Sequence, residues 1–141
     1  MVRRIFVTLF CSVYLIIFVS ALHGEDSKKI TLPNGEMVWD LNGEWEALVE
    51  NYGPSAHAGS YRQILKITQT GSSFVAIRMI DDSYNKTGSK AFQGELDKNG
   101  IKQATNFAAI GPFEAKGQIS DDGKKVVIDN GIRHKLTLTR K

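Results

Sequence analysis

Three histidines, two pairs of adjacent aspartates and one cysteine are the side chains of this 141-residue chain best suited to chemistry. Metal binding would need ligands whose spacing lets them converge. His23, His57 and His134 stand far apart in sequence, each without a second ligand at such a spacing. His57 and His134 could still meet if the fold carried both to the same end, and Asp81 with Asp82 could join acid/base work or hold a cation there. Asp121 and Asp122 sit in "SDDGKK", where Asp and Gly are the residues a tight turn requires. Neither a nucleophile paired with a base nor a glycine loop able to cradle phosphate can be read from the chain. The expectation is therefore a protein that is not an enzyme, with no cofactor and no metal.

The single cysteine, Cys11, lies within "MVRRIFVTLFCSVYLIIFVSALHG". Arg3 and Arg4 precede an apolar run from Ile5 to Val19, and the small-residue pattern "VSA" ends at Ala21. This is the pattern of a cleavable secretory signal peptide over residues 1–21, and the run is shorter than the ~20 apolar residues of a spanning helix. No cysteine stands at the cut, so lipid attachment is not expected. The implied product is secreted or periplasmic, without cysteine, and without a membrane segment after cleavage. Of eighteen Lys and Arg, the two in the leader go with it, leaving sixteen against fifteen Asp and Glu. That balance gives no electrostatic footprint for nucleic acid.

The elements that would position these side chains are strands. Residues 22–40 form a polar linker followed by "ITLPNGEMVW", where apolar residues flank Pro33, Asn34 and Gly35 as in a short hairpin. From residue 41 to 141 eight strand-like runs follow: 43–51, 61–70, 73–81, 90–97, 100–107, 113–120, 124–129 and 134–141. Several alternate with period two. Trp45, Ala47 and Val49 interleave with glutamates; Phe113, Ala115, Gly117 and Ile119 interleave with Glu114, Lys116 and Gln118. An antiparallel meander of this length removes its exposed edges by closing on itself. Short turns, "TGSS", "DKNG" and "SDDGK", fall at one end of such a meander. The longer connections, "YGPSAHAGS", "DSYNKTGS", "AAIGP" and "NGIR", fall at the other. The chain thus reads as all-β, an eight-stranded up-and-down barrel with a tied end and an open end. Small inward residues, Ala47, Gly94, Ala115 and Gly117, would either leave interior volume or let backbones approach closely.

The stretch "NGEW" at the head of the first barrel strand, with the arginine of the last strand, resembles the calycin group of lipocalins, fatty-acid-binding proteins and avidins, in which a Gly-X-Trp signature opens the barrel. The resemblance places Gly43, Trp45 and Arg140 at the closed end, the guanidinium lying across the indole, and implies a small apolar or amphipathic ligand at the open end. The chain lacks the second lipocalin signature and the C-terminal helix, and the later tryptophans that wall the biotin site of avidins are absent. Biotin is therefore not the expected ligand.

Loop-end residues are then the candidates for binding. Tyr52, His57, Tyr61, Tyr84, Phe107 and Ile110 are expected around the mouth, with Gln103 and Thr105 turned into the interior on the face of Ile101 and Phe107. The triplet Asn85–Thr87 is a glycosylation acceptor in a eukaryotic source. The competing expectation is a protein-interaction module, such as an exported inhibitor that inserts "YGPSAHAGS" into a partner. A cavity of about 300 Å³ or more at the mouth favours the ligand; a filled barrel favours the protein partner.

Overall fold

A computed structural model describes residues 27–141. The expected leader, with Cys11 and His23, lies outside the described residues. The strands are β1 (Lys29–Thr31), β2 (Met37–Trp39), β3 (Gly43–Asn51), β4 (Ser60–Thr70), β5 (Ser73–Arg78), β6 (Lys90–Asp97), β7 (Gly100–Ala108), β8 (Gly111–Ile119), β9 (Lys125–Asp129) and β10 (His134–Arg140). β1 and β2 form the small hairpin. The other eight close in meander order into an antiparallel barrel, with β10 against β3. The closing register sets Leu136 opposite Val49, Leu138 opposite Ala47 and Arg140 opposite Trp45.

Period two carries the barrel. Trp45, Ala47 and Val49 of β3, Leu65 and Ile67 of β4, and Leu136 and Leu138 of β10 are buried. Between them Glu44, Glu46 and Lys66 stand exposed, as do Glu114 and Lys116 on β8. A lipid-facing barrel reverses this arrangement, apolar outside and polar within. Phe74 and Phe92 meet edge to face in the core, centroids 6.0 Å apart. Of the two readings of the small inward residues, the glycines serve close approach. A Cβ on Gly94 would stand 2.2 Å from the Gln103 carbonyl oxygen, and one on Gly117 would stand 2.6 Å from the Ile101 side chain.

One inward assignment is corrected. The register slips by one residue between Glu95 and Leu96, which pair with Gln103 and Ile101 respectively and leave Lys102 as an extra residue in β7. A bulge of this kind shifts every later side chain to the opposite face. Ile101 packs against the core, but beyond the bulge it is Ala104 and Asn106 that are buried. Gln103 and Thr105 therefore face outward, in a depression shared with Gln93, Glu95 and Glu114.

The tied end is built from side chains bonded to backbone. The Gln69 Oε1 accepts the Leu41 amide at 2.7 Å, while its Nε2 donates to the carbonyls of Trp39 at 3.0 Å and Gly71 at 2.9 Å. These bonds fasten the hairpin across the barrel floor, where Val38 and Leu41 join the core. The Trp45 indole donates to the Leu41 carbonyl at 2.9 Å. The Arg140 guanidinium lies 4.5 Å from the Trp45 ring and donates to the carbonyls of Asn42 at 3.0 Å and Asp40 at 2.5 Å. Gly43 has φ +123°, a backbone region that other residues rarely occupy.

Two connections make the open end. Residues 52–59 carry a 3-10 helix, Gly53–Ala58, and residues 79–89 form the long β5–β6 loop, since β5 ends at Arg78 rather than at Asp81. The β7–β8 connection, expected to be longer, is only Ala109 and Ile110.

Candidate functional site

The inward series of three strands change character towards the open end. On β4, Leu65 and Ile67 give way to Gln63; on β5, Phe74 and Ala76 give way to Arg78; on β7, Ala104 gives way to Asn106. All three polar residues are buried, at 2%, 6% and 3% exposure. They line a cavity of ≈ 150 Å³ beneath the long loops, floored by Val49, Leu65 and Leu136. The volume is half the ~300 Å³ expected of a ligand-binding mouth, so cavity size does not decide for the ligand; it matches a body the size of one benzene ring.

Arg78 reaches along the inner wall. Its guanidinium donates to the Ser89 hydroxyl at 3.3 Å, to the Lys90 carbonyl, and to the Phe107 carbonyl at 2.8 Å. These three bonds leave two of the five guanidinium N–H donors without a partner, and among the described residues no carboxylate forms an ion pair with it. Burial lowers its pKa from the ordinary arginine value, opposed by the fields of Tyr61 and Asp82. Burial likewise raises the Tyr61 phenol, with Asp82 adding to it. Gln63 donates through Nε2 to the Asp82 carboxylate, while its Oε1 is buried and has no partner.

The aspartates of the mouth fasten the long loop. Asp82 accepts the amides of Tyr84 at 2.7 Å and Asn85 at 2.8 Å. Asp81 accepts the amide and hydroxyl of Thr87 and the Lys86 ammonium, and these bonds hold its carboxyl at about 2. Asp122, in the far turn, accepts the Ser120 hydroxyl at 2.6 Å and the Lys124 amide at 3.0 Å.

The β9–β10 connection is caged by Asn130, whose Oδ1 accepts the amides of Ile132, Arg133 and His134 at 3.1, 2.9 and 3.1 Å. This sets Arg133 against the Phe113 ring at 5.3 Å, and leaves its Nε buried and without a partner. His134 Nδ1 lies 2.5 Å from Asn51 Oδ1, and Asn51 Nδ2 donates to the Gly59 carbonyl. The Asn51 oxygen is thereby fixed as acceptor, so Nδ1 carries the imidazole proton. Burial first, then the charges of Arg133 and Arg78, lowers the His134 pKa.

No protein-family model, curated protein or solved structure matches the chain.

His57, Tyr61, Tyr84, Phe107 and Ile110 line the cavity. The Tyr61 and Tyr84 rings approach to 6.5 Å. Tyr52 is turned away from it: its hydroxyl donates to Asp129 at 2.6 Å, and desolvation with that bond raises its pKa to about 12. Gln103 and Thr105 lie on the outer surface. His57 and His134 both border the cavity, but among the described residues no three His, Cys, Asp or Glu side chains group closely enough to hold a metal ion. Sequence reading missed Gln63, Arg78, Asn106 and Arg133. Parity could have found the first two: Gln63 continues Leu65 and Ile67, and Arg78 continues Phe74 and Ala76.

Proposed function

We propose that this chain is an exported, calycin-like barrel that binds one small amphipathic molecule at its loop end and performs no catalysis. The observation that carries this reading is the change from apolar to polar at Gln63, Arg78 and Asn106, which rings a small cavity with buried hydrogen-bonding groups above an apolar floor. Pockets that recognise small molecules combine an apolar lining with a few convergent polar groups. The closed-end arrangement of Gly43, Trp45 and Arg140 supports the calycin resemblance.

Native mass spectrometry of gently purified protein, followed by a thermal-shift panel of ring-sized and chain-like amphiphiles, tests the reading. Ring-sized compounds should stabilise the protein, by about 2.7 kcal/mol at a hundredfold excess over Kd. No adduct and no stabilisation across the panel would count against it. N-terminal sequencing of the exported protein should begin at Leu22.

Docking of a protein partner is a second reading, favoured by the exposure of Tyr84, Ile110 and Ile132 at 51%, 65% and 53% around the mouth. Replacing Ile132, which does not line the cavity, with serine would weaken partner capture while leaving small-molecule binding unchanged.

A further inference from the structure

Among the residues that line the mouth cavity, the only fixed charges are the cations Arg78 and Arg133; no aspartate or glutamate lines it. A buried cation is ordinarily paired with a carboxylate. Arg78 instead rests on two carbonyls and a hydroxyl, with two N–H donors left over. Asp82 does not neutralise it within ion-pair distance, being engaged by Gln63 and by the amides of Tyr84 and Asn85. Arg133 adds a second cation whose buried Nε has no partner. Both arginines are among the residues that line this one cavity. The remaining unmet group is an acceptor, Gln63 Oε1, on a side chain that is 98% buried by its 2% exposure.

Resting on the ligand-binding reading above, we infer that the cavity recognises a compact monocarboxylate: an organic acid whose carboxylate takes the free donors of Arg78, with Arg133 adding positive charge to the same lining, and whose ring or short branched body rests on Val49, Leu65 and Leu136. Paired N–H donors match the two oxygens of a carboxylate better than they match a single neutral acceptor. The volume of ≈ 150 Å³ suits an enclosed body of one ring.

Isothermal titration calorimetry with benzoate and cyclohexanecarboxylate, each against its neutral primary amide, tests the inference on the unmodified protein. The acids should bind at least tenfold more tightly than the amides, and added salt should narrow the gap. Arg78→Gln should bring the acids down to the level of the amides. Should that variant fold poorly by circular dichroism, Arg133→Gln at the partly exposed position should still lower acid affinity severalfold without affecting the amides. Equal binding of acids and amides would overturn the carboxylate assignment and leave the ligand-binding reading standing. No binding in either series, while the broader panel yields a neutral ligand, would do the same; no binding in any panel would remove both.

Discussion

Replacing Arg140 with methionine removes three interactions from the tied end while keeping much of the side-chain bulk. The guanidinium lies 4.5 Å from the Trp45 ring in a partly buried setting, worth about 1 kcal/mol. Its bonds to the Asn42 and Asp40 carbonyls are worth about 1 kcal/mol each once water has replaced the lost donor. Against this, methionine also removes Nε, a buried donor without a partner, recovering about 1 kcal/mol. The net expectation is a loss of about 2 kcal/mol, or roughly 6–10 °C in Tm for a domain of this size. Urea unfolding followed by tryptophan fluorescence is suited to the question, because both tryptophans, Trp39 and Trp45, sit at this end. The midpoint should fall at an unchanged m-value. A double-mutant cycle with Trp45→Phe, followed by circular dichroism, should return about 1 kcal/mol of coupling. A loss below about 0.5 kcal/mol, or coupling indistinguishable from zero, would refute the stacked closure.

Gly43→Ala separates backbone strain from crowding: the nearest atom to a new Cβ is Arg140 Nη1 at 3.8 Å, an ordinary contact, so any loss comes from φ +123°. About 1–3 kcal/mol is expected in the same urea assay, and an unchanged midpoint would show that the loop relaxes freely. His134 titrates below its ordinary value, so the unfolded chain takes up the proton first as pH falls. Its contribution is complete above about pH 6.5 and is lost as pH drops towards the folded-state value; His134→Gln should flatten stability between about pH 7 and 5, and an unaltered profile would contradict this. Asp81, held at about 2, contributes above its ordinary carboxylate range and loses that contribution as pH falls through about 2. Asp81→Asn should therefore lower stability by a constant amount above about pH 4 and match the unmodified protein at lower pH, and a deficit that varies with pH near neutrality would contradict this.

The barrel was legible because its inward series run unbroken: Trp45, Ala47, Val49 on β3, Phe113 to Ile119 on β8, and Leu136, Leu138, Arg140 on β10 each keep one parity from end to end. β7 was misread because parity counts residues and a bulge adds one. Nothing local in "GIKQATNF" marks Lys102 as the extra residue; the pairing of Glu95 with Gln103 and of Leu96 with Ile101 creates it. The mouth was misread in a different way. Aromatic residues in loops draw attention as binding groups, yet Tyr52 is spent on Asp129, and loop length says nothing of which side chains already have partners. Arg78 went unnoticed inside "FVAIRMI", where apolar neighbours make the run look like buried strand, although its parity with Phe74 and Ala76 points it inward.

Both ends of the barrel bury polar side chains, so polarity alone does not distinguish a plug from a site. Gln63 and Gln69 make the comparison under matched conditions: same residue type, same strand, same inward face, six residues apart, exposed by 2% and 9%. At the tied end, Gln69 accepts one amide and donates to two carbonyls, so its amide group is fully engaged and fixes the hairpin over the floor. At the mouth, Gln63 makes one bond through Nε2 and leaves Oε1 buried and unmet, beside an arginine that keeps two N–H donors in reserve. A buried polar group without a partner costs about 1–3 kcal/mol. The fold therefore bears at its open end a cost that it avoids at its tied end with the same residue. The tied end has an unmet donor of its own in Arg140 Nε, so an unmet group alone does not mark a site; what separates the two ends is that Gln63 and Arg78 line a cavity, where a bound molecule could recover that energy.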